Sequence, residues 1–271
     1  MPKLTSKNYH TKANKYLSTS MIKVFMASKE RFKEQYIDRT FVREPSPSMM
    51  LGSMVDMIAT ESMRKFKMNY TPSVFKKDNP VLFEKQKDCR RQVVTQVQYD
   101  TAMRMADSLL QTEAFQDIKD HQTQIVLTHN QSMSHSLLGL CGMLDFLYVD
   151  EAKKIAIITD LKTSASFGIP DKYYYKALDY GYFLQMAMYQ LLVHVNFNIP
   201  IANIECRHIV VINDPDNIHP VYTYKFSDEI LSASADILSM QIAKLNIEID
   251  FKRDDVSWED SIILGELKDE Y

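Results

Sequence analysis

Residues 135–164 read HSLLGLCGMLDFLYV, then DEAKK, then IAIITDLKTS: two long apolar runs joined by a short polar link. Runs this rich in Leu, Ile, Val and aromatic residues, with such a link between them, predict two β-strands that fold back on each other as a hairpin. Both runs carry charge where a buried strand wants none, Asp145 in the first and Asp160 and Lys162 in the second. Alternate residues of a strand share a face, so Ile158, Asp160 and Lys162 project together while Thr159 and Leu161 point the other way. Buried charges must pair, reach water or bind a metal. An ordinary ion pair between Asp160 and Lys162 would meet that need alone. The hairpin adds a third charge, because its return brings Asp145 close to Asp160, and two adjacent carboxylates repel unless a cation lies between them. Hard divalent ions with oxygen ligands, Mg2+ or Mn2+, suit such a site.

The rest of the chain supplies helices and further strands. Residues 19–36 predict one amphipathic helix, and after the break REPSPS at 43–48 a second follows over 49–66, containing Asp56. Residues 79–118 predict one long or broken helix with Val93 and Val97 on its inner side. A strand is expected over 122–130, a helix near 179–198, strands at about 203–213 and 219–226, and a final helix near 227–247. Three parts of a single structural domain result: a helical portion 1–120, a core 121–226, and a C-terminal helix with an acidic tail, 227–271.

Composition excludes several chemistries. At 45% hydrophobic and 25% charged residues the chain fits a globular protein, and no apolar run approaches the ~20 residues needed to cross a bilayer, so a cytoplasmic location is expected. Three cysteines cannot supply the four thiolates of an iron–sulfur cluster. No G-x-x-x-x-G-K-[ST], H-E-x-x-H or G-x-S-x-G occurs, and His121, His129, His135, His194, His208 and His219 show no ligand spacing, so each is expected to be structural or exposed. Charge is uneven: residues 1–44 hold ten Lys/Arg against four Asp/Glu, whereas 228–271 hold four against twelve. A basic front suits a polyanion, as does the cluster KQKDCRRQ at 85–92, while YYYKALDYGYF at 173–183 offers aromatic faces for stacking.

Asp145, fourteen intervening residues, and then Asp160-x-Lys162 together resemble the PD-(D/E)xK nuclease superfamily. Three further stretches resemble its RecB-like branch. YGYFLQMAMYQ carries Gln185 and Tyr189 in a Q-x-x-x-Y pattern, and LGSMVDMIATE is similar to a G-x-x-x-H helix with Asp56 in the histidine's place. YLSTSMIKVFMASKERFKEQYI is similar to the opening helix, with ASKERF replacing a Cys-Pro form. Over residues 16–195 the order and spacing look most like phage and prophage exonucleases of the RecE (exonuclease VIII) type. The resemblance implies an α/β, restriction-endonuclease-like core in which a central mixed β-sheet is flanked by helices. It implies a Mg2+- or Mn2+-dependent exonuclease acting on linear double-stranded DNA in phage recombination or DNA processing. Asp56, Asp145, Asp160 and the Leu161 carbonyl would hold the metal, Lys162 the attacking water, Gln185 would orient them, and Tyr189 would touch the substrate backbone. A single-strand annealing protein, a ring of like subunits and a phage-encoded origin are implied in the same way. A structure-selective endonuclease or nickase, or a catalytically silent nucleic-acid-binding module, would share this pattern.

Overall fold

A computed structural model of the chain describes residues 3–11, 14–41, 44–74, 77–79, 81, 91–130, 139–165, 170–216 and 218–248. The tail with Trp258, and most of the basic cluster at 85–92, lie outside them.

Strand β1 (Leu17–Ser18) leads into α1 (Thr19–Ala27), and the chain breaks at Ser28 before α2 (Lys29–Phe32). The single helix expected over 19–36 is therefore interrupted. Ser28 is extended (φ −166°, ψ 125°), and its Oγ accepts from the Arg31 N–H at 3.1 Å, which starts a new helix instead of continuing the old one. Phe25 and Phe32 remain buried on either side of the break, ring centroids 5.7 Å apart.

Helix α3 (Pro47–Thr60) begins where sequence chemistry favours it, with Ser46 capping and proline in the first turn. The second expected helix also divides, since Ser62 caps a separate α4 (Met63–Asn69) through the Lys65 N–H. Next comes a small parallel sheet of β2 (Tyr70–Pro72) and β3 (Gln92–Val94). It interrupts the stretch read as helical over 79–118. Val93 and Val97 are 44% and 72% exposed, so neither is on an inner side; the β-branched pair at 93–94 takes a strand, and Thr95 with Gln98 forms a capping box that starts α5 (Gln96–Leu110).

The main sheet comprises β1, β4 (Gln122–Asn130), β5 (Gly139–Asp150), β6 (Ile155–Ser164), β7 (Ile204–Ile212) and β8 (Val221–Lys225). Its order is β1-β5-β6-β7-β8, with β4 antiparallel on the other edge of β5. The β6–β7 pair is parallel and β5–β6 and β7–β8 are antiparallel, giving the central mixed sheet flanked by helices that was expected. Helices α6 (Pro170–Asp179) and α7 (Tyr182–Phe197) connect β6 to β7, and α8 (Asp228–Glu248) follows β8.

Helices cover both faces. Ile22 and Phe25 of α1, Leu184, Leu192 and Val193 of α7, and Leu231, Leu238 and Leu245 of α8 pack with Leu140, Leu144 and Ile158 of the sheet. Leu51, Met54 and Ile58 of α3 and Ala102, Met105 and Leu109 of α5 pack on Phe146, Ile209 and Val211 from the opposite side. Cys141 and Cys206 are buried free thiols. Among the described residues no helix is long and apolar enough to cross a membrane.

One detail of the register positions the site. The β5–β6 ladder runs from Asp150↔Ile155 to Phe146↔Thr159 and stops there, while β1 occupies the same edge of β5 further along, at Leu140 and Cys141. Between these two partners the strands fork. Asp145 and Asp160 are the first residues past the last rung.

Candidate active site

At the fork a side chain takes over from the ladder. Asp145 Oδ2 accepts a hydrogen bond from the Leu161 N–H at 2.9 Å, which satisfies a backbone donor that no strand reaches and fixes the carboxyl in the gap. Asp160, 2% exposed, is held from three sides. Gln185 Nε2 donates to its Oδ1 at 3.1 Å, Lys162 forms an ion pair with its Oδ2, and His208 Nε2 lies 3.7 Å from the same oxygen. Despite the ion pair, Asp160 Oδ2 has no hydrogen bond of ordinary geometry.

Gln185 and Tyr189 stand one turn apart on α7, as the spacing required. Gln185 Nε2 also donates to the Tyr189 hydroxyl at 2.8 Å, and that hydroxyl donates to the Met143 carbonyl at 2.7 Å. A continuous chain thus runs from β5 through Tyr189 and Gln185 to Asp160. Gly142 permits it: a Cβ there would lie 2.7 Å from the Tyr189 ring. Tyr189 is buried, with its hydroxyl engaged with β5 and Gln185, and it borders the cleft.

Asp56 enters from α3, and its Oδ1 is buried without a hydrogen-bond partner. Burial, and next the charge of Asp160, push its pKa up to about 6 against the pull of Lys162. Asp145 is held well above the usual carboxylate range, first by burial and then by Asp160 and Asp56. Burial works against the Lys162 ammonium, but Asp160 and Asp145 outweigh it and raise its pKa overall. The raised value keeps the lysine cationic at neutral pH beside these carboxylates.

These groups line one cleft of about 700 Å³, together with Tyr9, His10, Lys176 and Tyr182. Three clustered carboxylates, of which Asp56 and Asp145 have raised pKa values, with buried oxygens at Asp56 and Asp160 that lack an ordinary hydrogen bond, suit a hard divalent cation, whose charge would relieve both defects. Among the described residues no three His, Cys, Asp or Glu side chains already form a cage, and Asp160 is turned toward Lys162. The donor set suits a divalent ion that keeps several waters rather than one enclosed by protein.

His208, expected to be structural or exposed, is structural and stands beside Asp160, a place the sequence reading did not give it. It is fully buried, its register partner on β6 is Asp160, and its Nδ1 hydrogen-bonds with the Tyr173 hydroxyl. Burial, reinforced by Lys162, holds its pKa well below the usual histidine range, so it is neutral. Only the parallel register of β6 with β7 could have revealed it. Tyr9 and His10 likewise reach the cleft from a segment that carries no recognisable motif.

Residues 18–250 match the family described as a PDDEXK-like domain of unknown function (DUF3799). No curated protein matches the chain. Among solved structures, a crystal structure from Eubacterium rectale, of a protein provisionally named an exonuclease, is similar over 91% of this chain and 87% of that one, at 20% identity and a TM-score of 0.65. At that identity the likeness is one of fold. The structure of SSO0001 covers 82% of this chain and 84% of its own, at 11% identity and a TM-score of 0.28, which is too distant to argue from.

Proposed function

Because the chain belongs to the DUF3799 family of PDDEXK-like domains, we propose that it is a divalent-metal-dependent deoxyribonuclease, an exonuclease that hydrolyses phosphodiester bonds of linear double-stranded DNA. The observation that carries this reading is the meeting of Asp56, Asp145, Asp160 and Lys162 at the open fork of β5 and β6, inside one cleft. Structural ion pairs have no need of three carboxylates around one ammonium, and such a cluster costs stability unless function retains it.

Asp56, Asp145, Asp160 and the Leu161 carbonyl would hold Mg2+ or Mn2+, which supplies charge to stabilise the transition state and the leaving 3′ oxygen. The remaining work falls to the protein's own groups. Lys162, kept protonated by Asp160 and Asp145, donates hydrogen bonds to the attacking water or to a non-bridging phosphate oxygen. Gln185 fixes the Asp160 carboxylate, and Tyr189 fixes Gln185; both are positioning residues. The similarity of the motif order to RecE-type exonucleases supports a role in phage recombination or DNA processing, with a single-strand annealing protein and a ring of like subunits as partners.

The test is incubation with linear, nicked and closed-circular DNA, with Mg2+ and with EDTA. Loss of linear duplex only when Mg2+ is present is expected. Cleavage in EDTA would overturn the metal dependence, and equal cutting of closed circles would replace the exonuclease with an endonuclease.

A further inference from the structure

The tyrosine-rich segment after β6 does not behave as one surface. All of Tyr173, Tyr180 and Tyr182 border the cleft, but Tyr173 is buried against Tyr224, their rings 4.3 Å apart, whereas Tyr180 is 53% exposed. Gly181 between Tyr180 and Tyr182 has φ +62°, in the left-handed region, and caps α7. A side chain there would meet Lys23 Cδ at 2.6 Å, and Lys23 Nζ donates to the Tyr180 carbonyl at 2.9 Å, so α1 holds this turn in place. The turn sets the two rings 5.6 Å apart, tilted by 34°. Tyr182 is the inner one, with Lys162 Nζ 4.8 Å from its ring centre and Lys23 Nζ 5.9 Å. An aromatic step therefore leads from the reactive lysine to solvent, with cations beside it.

We propose that Tyr180 and Tyr182 form a base-stacking site for an unpaired strand of nucleic acid entering the cleft, so that the strand is bound single-stranded next to the phosphate to be cut. This rests on the nuclease reading for the identity of that phosphate. Inside a duplex each base already stacks on both neighbours and only the terminal pair keeps a free face, so an exposed ring favours unpaired nucleotides. The lysines add attraction for the backbone of either form, and the aromatic step adds the selectivity. Tyr174 and Tyr175 are exposed as well but do not line the cleft, and they have no part in the site.

The test measures binding without cleavage, in EDTA, by fluorescence anisotropy of a labelled oligothymidylate of about 12 nucleotides. A strand of the same length with abasic sugars is the control. The unaltered protein should prefer the oligothymidylate by about tenfold, Tyr180→Leu should lose most of that preference, and Tyr180→Phe should keep it. Tyr182→Leu should act like Tyr180→Leu. Equal binding of the two strands by the unaltered protein, or a full preference retained by Tyr180→Leu, would overturn the proposal, as would equal losses in the Phe and Leu variants. Base preference with the expected variant pattern in a protein that cuts no DNA would leave the stacking site standing and remove the nuclease reading. Cleavage by a protein whose Tyr180→Leu variant keeps its preference would do the reverse.

Discussion

Replacing Asp56 by Asn probes the electrostatics of the fork directly. In the folded chain the Asp56 pKa is raised to about 6, by burial first and by Asp160 second. A carboxyl with a raised pKa binds its proton more tightly in the folded than in the unfolded state. Its stabilising contribution is therefore fully present below pH ~4, the unfolded value, and is lost as the pH rises through about 6. A rise of roughly two pKa units at about 1.4 kcal/mol each is about 3 kcal/mol, and partial exposure to the cleft reduces this to about 2. For a chain of this length about 2 kcal/mol corresponds to roughly 4–8 °C in Tm. Asn keeps the shape and removes the charge. In EDTA, Asp56→Asn should then melt about 4–8 °C above the parent protein at pH ~8 and close to it at pH ~4. Mg2+ should narrow the gap at the higher pH, because binding to the folded parent stabilises it by mass action while the variant has lost a ligand. Melting followed by circular dichroism, across this pH range with and without Mg2+, reads all three effects. A variant no more stable than the parent at pH ~8 in EDTA, or a gap that widens with Mg2+, would refute the reasoning.

Asp160→Ala and Lys162→Ala should each abolish cleavage, but calorimetric titration with Mn2+ should show affinity lost in the first and largely kept in the second; equal loss would make Lys162 structural. Gly142→Ala should lower stability by about 1–3 kcal/mol, seen as a reduced denaturant midpoint, because its methyl group would displace the Tyr189 ring that lies 2.7 Å from the Cβ position. Gln185→Ala should reduce kcat by an order of magnitude or more while leaving KM near the parent value, since it frees the Asp160 carboxylate rather than a substrate contact. An unchanged kcat would remove Gln185 from the site.

The hairpin, its three charges and the Q-x-x-x-Y helix were legible in the linear order because each depends on local spacing: alternation along a strand, and a one-turn step along a helix. The strands of the core were legible for the same reason. Helix continuity was not. Ser28 and Ser62 sit in sequences with good helical periodicity, and their side chains break the helix by capping the next one, a local competition that periodicity does not register. Strand β3 was missed because its partner β2 lies some twenty residues earlier and supplies the pairing.

What the sequence determined by itself is the chemistry available, two aspartates and a lysine on adjoining strands with Asp56, Gln185 and Tyr189 on helices beside them. What only tertiary structure decided is where that chemistry is strained and what supports it. The ladder stops at Phe146↔Thr159, so Asp145 and Asp160 meet in a gap instead of across a rung. Parallel pairing with β7 sets the buried, neutral His208 beside Asp160, and Gly142 admits the Tyr189 ring that anchors Gln185. None of these is a property of a segment. Each arises because elements distant in the chain converge, and in the low-dielectric space between them the same charges interact far more strongly than they do along an extended strand.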